Sequence, residues 1–124
     1  MEPQPDLSTD IELDNDIYPA AARSQLKARL MIRNETAEPL TLNFPTGQMY
    51  DLEIHDDEGN VVYQWSRGMT FAQMVTPLEI QFEKDYRISV PLTKLRPGKY
   101  VLQAWLTVDG PARAYSGSAR FEIK

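Results

Sequence analysis

The stretch that decides the fold is Gly47–Gln73, GQMYDLEIHDDEGNVVYQWSRGMTFAQ. Tyr50, Leu52 and Ile54 alternate with Asp51, Glu53 and His55, the period-two pattern of a half-buried strand. Asp56-Asp57-Glu58-Gly59-Asn60 follows, with short acids that bond their own backbone and a Gly free to take positive φ. The same alternation sets Val61, Tyr63 and Trp65 on one face of a return strand, so the segment predicts a β-hairpin. Beyond Trp65 the chain stays apolar but loses its period. Met69, Phe71, Met74 and Val75 form either a plug over the end of the core or an exposed binding surface.

Outward from this hairpin the pattern repeats. Ile11 and Leu13 alternate with acids in a short first strand, and Leu40, Leu42 and Phe44 follow an Asn34–Pro39 turn. Leu78, Ile80 and Phe82 make one more inward face, and Tyr86, Ile88 and Val90 another. Tyr100 to Val108 is the longest strand, entered through Pro97-Gly98, and Ala119, Phe121 and Ile123 mark the last. One segment is ambiguous. Pro19 and three alanines favour a helix start, yet Leu26, Ala28, Leu30 and Ile32 alternate strictly, which predicts a strand with a helical turn near Ala20–Ala22. About seven to nine short strands and no long helix define an all-β sandwich. Tyr100, just past Pro97-Gly98, resembles the tyrosine corner of immunoglobulin-like domains.

The chain has 124 residues, the size of one domain; residues 1–8 read as a disordered tail and 9–124 as the folded unit. It has no cysteine, which removes disulfides and thiolate chemistry. Net charge is −5 with 13 basic residues and no two adjacent, which disfavours nucleic-acid binding. No stretch reaches the roughly 18 apolar residues of a membrane span, and the acidic, proline-rich start lacks signal-peptide character. The expected location is the cytoplasm.

Catalytic chemistry finds little material. His55 is the one histidine, and no nucleophile elbow accompanies it, so it reads as a surface turn histidine. Asp51, Glu53, Asp56, Asp57 and Glu58 do not match a calcium loop and read as a solvated face plus turn. Asn34-Glu35-Thr36 is a sequon explained by turn chemistry. Tyr63, Trp65 and Trp105 read as core. No enzyme activity, metal or cofactor is expected.

The hairpin carries a longer pattern: Phe44, Thr46-Gly47-Gln48, Tyr50-Asp51, Asp56 to Gly59, Val62-Tyr63, Trp65-Ser66, Gly68, Phe71 and Gln73. This resembles the BsuPI family, the intracellular proteinase inhibitor domain. The family's Asn turn is similar to Asn34–Leu42, and its Pro-Gly-x-Tyr segment to Pro97–Tyr100. Tyr63 stands where the family often has a second tryptophan. The resemblance implies an immunoglobulin-like sandwich that inhibits a subtilisin-like serine protease. Such enzymes favour large apolar residues at the primary pocket, so Met69 and Phe71, with Arg67 and Gly68 beside them, are the first candidate contacts, then Met49 and Tyr50. A structural or adaptor sandwich that holds a non-protease partner is the alternative.

Overall fold

The structure, a computed structural model, describes residues 7–20, 25–110 and 112–124. Among these residues there are ten strands and no helix: β1 (Leu7–Leu13), β2 (Ile17–Tyr18), β3 (Gln25–Asn34), β4 (Leu40–Phe44), β5 (Tyr50–Asp56), β6 (Val61–Gln64), β7 (Thr76–Ile80), β8 (Glu83–Pro91), β9 (Gly98–Leu106) and β10 (Ser116–Ile123). Sheet order is β1-β3-β8 in one layer and β2-β10-β9-β5-β6 in the other, with a separate β4-β7 pair. All pairings are antiparallel except the short β2 beside β10. The expected all-β sandwich is therefore the observed architecture.

Alternation supplies the core. Leu26, Leu30, Leu52, Ile54, Val90 and Leu102 lose all solvent exposure between the two layers. Truncating any of these aliphatic side chains to Ala is worth about 2–5 kcal/mol of stability. The ambiguous segment is strand from Gln25 onward, where Leu26, Ala28, Leu30 and Ile32 are buried and Leu26 opposes Val90. A helix would have swung half of those side chains into water. The helical turn expected near Ala20–Ala22 falls largely on residues 21–24, outside those described.

Four expectations change. The tail boundary at residue 8 is too late: Leu7 is buried and opens β1 opposite Asn34, tying Leu7 and Ser8 into the sheet. Val61 does not share a face with Tyr63, because the register shifts so that Ile54 opposes Tyr63 while His55 opposes Val61. A bulge of this kind flips every later side chain. Phe82 leaves the inward row of Leu78 and Ile80 and stands 79% exposed in the β7–β8 connection, where its carbonyl accepts the Asn34 N–H. Trp105 is buried, but on the outer face of β9, away from the inter-sheet core.

The tyrosine corner is present, with the Tyr100 hydroxyl donating to the Arg96 carbonyl and its ring stacked on Phe121. In immunoglobulin terms β3 and β8 hold the B and E places, and β5, β9 and β10 the C, F and G places. This layout gathers three connections at one end: 35–49 with β4, 65–82 with β7, and 107–115. Tyr50 opposes Leu106 there, Thr107 N–H donates to Met49, and Gly47 N–H donates to Ala72. The Asp56–Asn60 turn lies at the other end of β5.

Candidate protein-binding site

The 65–75 loop is tied down at both roots. At the first, Asp51 lies on the outer face of β5 at 5% exposure. Its Oδ2 accepts the Ser66 hydroxyl at 2.6 Å and Gln64 Nε2 at 3.0 Å, while Oδ1 accepts the Ser66 N–H at 3.2 Å and the Leu52 N–H at 2.8 Å. Hydrogen bonds to an ionised acceptor are shorter and roughly twice as strong as neutral ones. Inside the root, Arg67 N–H donates to Gln64 and Met69 N–H to Ser66, closing a tight turn. That turn holds Gly68 at φ +83, a left-handed conformation that favours Gly.

At the second root, Gly47 N–H donates to the Ala72 carbonyl at 2.8 Å. A Cβ on Gly47 would lie 3.4 Å from Ala72, in ordinary van der Waals contact, so the two segments pack closely at this root. Between the roots runs an aromatic row. Phe71 packs on Trp65 at 6.0 Å, Trp65 on Tyr50 at 4.6 Å, and Tyr50 on Tyr86 at 5.0 Å, reaching across to the other sheet. Burial pushes the phenols of Tyr50 and Tyr86 up, so the row stays uncharged at neutral pH.

The candidate residues therefore divide. Arg67, Gly68, Met69 and Thr70 form an exposed tip, with Met69 at 45% exposure. Met74 and Val75 are exposed beside it. Phe71 is half-buried and props the tip. Tyr50 and Met49 are half-buried and packed on the core, and Tyr50 supports the loop through Trp65.

A second buried carboxylate lies one pleat along. Glu53, at 7% exposure, pairs with Arg113 at 3.0 Å and with His55 at 3.2 Å. Arg113 also donates to Gln103 at 2.9 Å and stacks over Trp105 at 3.9 Å. It does so from a backbone φ of 57. Asp51 and Glu53 are thus not a solvated face: one ties the 65–75 loop and the other the 107–115 loop. Their partners lie far along the chain, which is why alternation alone hides them. The clue in the sequence is Trp105, a large apolar residue on the outward parity of a central strand, which needs a cover. His55 is a turn histidine as expected, its Nδ1 3.4 Å from the Gly59 carbonyl. The sequon is closed: Asn34 Nδ2 donates to the carbonyls of Glu38, Ile80 and Gln81. Among the described residues no group of three or more His, Cys, Asp or Glu could hold a metal ion.

The two packed antiparallel sheets and the tyrosine corner define an immunoglobulin-like β-sandwich domain. The family comparison is more specific: residues 11–110 match BsuPI, described as an intracellular proteinase inhibitor, and the chain belongs to that family. No curated protein matches. Among solved structures, the CARDB domain of the PF1109 protein of Pyrococcus furiosus, crystallised with di-metal ions, is 14% identical with a TM-score of 0.52, covering 96% of this chain and 88% of that one. Spo0M, a sporulation control protein of Bacillus subtilis, is 10% identical with a TM-score of 0.58, covering 94% of this chain and 48% of that one. A family 123 glycoside hydrolase of Clostridium perfringens is 11% identical with a TM-score of 0.56, covering 94% of this chain and 27% of that one. At these identities the likeness carries the fold alone. Among the described residues no helix is long and apolar enough to cross a membrane.

Proposed function

We propose that this domain inhibits a subtilisin-like serine protease in the cytoplasm by seating the Arg67–Thr70 tip in the active-site cleft, with Met69 in the primary pocket. The observation that carries this reading is an exposed four-residue tip whose two roots are both fixed, by Asp51 on Ser66 and by Gly47 on Ala72. A loop held in one shape before contact loses little freedom on binding, which is how preformed inhibitor loops gain affinity. Met69 ranks above Phe71, because Phe71 is engaged with Trp65. Arg67 would suit a trypsin-like pocket and is the weaker choice for a subtilisin. The family supports a protease partner, and the domain works by binding, without turnover of its own.

An adaptor role has one observation in its favour. β6 is the outermost strand of its sheet, and Val61 and Val62 are 42% and 38% exposed there, as a strand-pairing partner would use. The two readings separate in a titration of purified protein against a subtilisin-type protease cleaving a chromogenic peptide. Inhibition that rises to one equivalent is expected. Unchanged hydrolysis at micromolar protein, or digestion of the domain, would refute it.

A further inference from the structure

Ser66 stands three residues before Met69, and Ala72 three residues after it. A cut at the Met69–Thr70 bond would therefore leave two short ends, each still tied. The upstream end stays on Asp51 through the Ser66 hydroxyl and N–H. The downstream end stays on Gly47 through Ala72, with Phe71 packed on Trp65. Asp51 is the one charged group in these two anchors, and every bond it accepts comes from the loop root or from its own neighbour Leu52.

We propose that Asp51 is a positioning residue that makes this loop an inhibitor instead of a substrate, an inference that rests on the reading of the tip as the protease-binding segment. The protease serine oxygen adds to the Met69 carbonyl carbon, the C–N bond to Thr70 breaks, and the serine's proton leaves on the Thr70 amine. Water completes hydrolysis once that amine moves away. Held in place, the amine returns to the Met69 carbonyl carbon, re-forms the amide and gives its proton back to the serine oxygen. An amine fixed beside the acyl carbon has a high effective molarity and outcompetes water. Freed from Asp51, the upstream end drifts, the register between the two ends is lost, and the cut becomes permanent.

The test mixes equimolar protein and subtilisin and follows the return of protease activity together with intact mass. The wild-type chain should inhibit durably. Asp51→Ala and Ser66→Ala should inhibit at first, then release activity about ten- to a hundredfold sooner, the factor expected for a lost hydrogen bond to a charged group. The fragments should divide between Met69 and Thr70. Ser66→Thr, which keeps the hydroxyl, should restore the lifetime. Ile88→Val, a core change remote from the loop, should lower the melting temperature without shortening inhibition. Should Asp51→Ala fail to fold, Ser66→Ala carries the comparison. Wild-type lifetimes in Ser66→Ala, no restoration by Thr, or an equal shortening in Ile88→Val would overturn the positioning role alone. A wild-type chain that never slows the protease overturns the parent reading and this one with it.

Discussion

Removing the Arg113 side chain should unfasten the 107–115 loop, and the size of the effect can be worked from its contacts. Arg113 gives Glu53 a charge-assisted bond at 3.0 Å, gives Gln103 a bond at 2.9 Å, and covers Trp105 at 3.9 Å. In a dry site these would sum to about 3–4 kcal/mol. The Arg113 side chain is 39% exposed, so solvent screens the pair and about 2 kcal/mol is the better expectation for Arg113→Ala. Backbone conformation then separates two variants that lose the same contacts. At φ 57 an Ala keeps the left-handed strain, whereas Gly relieves about 1 kcal/mol of it. Arg113→Gly should therefore be the milder change by about that amount. Urea unfolding read by tryptophan fluorescence measures both variants, and Glu53→Gln completes a double-mutant cycle. A coupling of about 1–1.5 kcal/mol between positions 53 and 113 is expected. Coupling within about 0.3 kcal/mol of zero, or Gly as harmful as Ala, would refute the clamp.

Two further outcomes follow from the fold. Tyr100→Phe deletes the hydroxyl that caps the Arg96 carbonyl and should lower stability by about 1–2 kcal/mol in urea melts; an unchanged midpoint would remove the corner from the account. Burial pushes the Asp14 carboxyl up, but hydrogen bonds from the Tyr18 hydroxyl and the Lys27 N–H outweigh it and leave the group below its usual value. The unfolded chain then binds more protons in the window between the lowered and ordinary values, so this contribution is complete above about pH 4 and is lost as pH falls through the folded value. Tyr18→Phe should flatten the acid side of the stability curve. Asp56, lowered chiefly by the Asn60 N–H, is untouched by that change, so the difference between the two curves isolates Asp14. Parallel curves would contradict the assignment.

Much of this fold is legible because a strand's period shows wherever one face is buried. Leu26 to Ile32 reads correctly against its own helix propensity for that reason. The errors sit where local pattern does not hold the decisive contact. Val61 is misplaced by a bulge, which alternation cannot register. Phe82 continues a row on paper, but the chain has already turned to start β8. Asp51 and Glu53 look like solvated acids until Ser66 and Arg113 are folded onto them. The family motif did carry the signal, since Tyr50-Asp51, Trp65-Ser66, Gly47 and Phe71 recur in it, and the structure gives each a task in holding the loop. What the motif fixes is the support of the tip. Met69 is a candidate from the sequence, and its exposure comes from the structure.

The proposed inhibition requires the supported tip to be the surface a protease meets. Hydrogen–deuterium exchange of the chain, free and with one equivalent of an inactivated subtilisin, tests it most directly. New protection is expected across Arg67–Phe71, with little change at the Asp56–Asn60 turn, at the far end of β5. Protection confined to that turn or to the β6 edge, with Arg67–Phe71 exchanging as in the free chain, would contradict it.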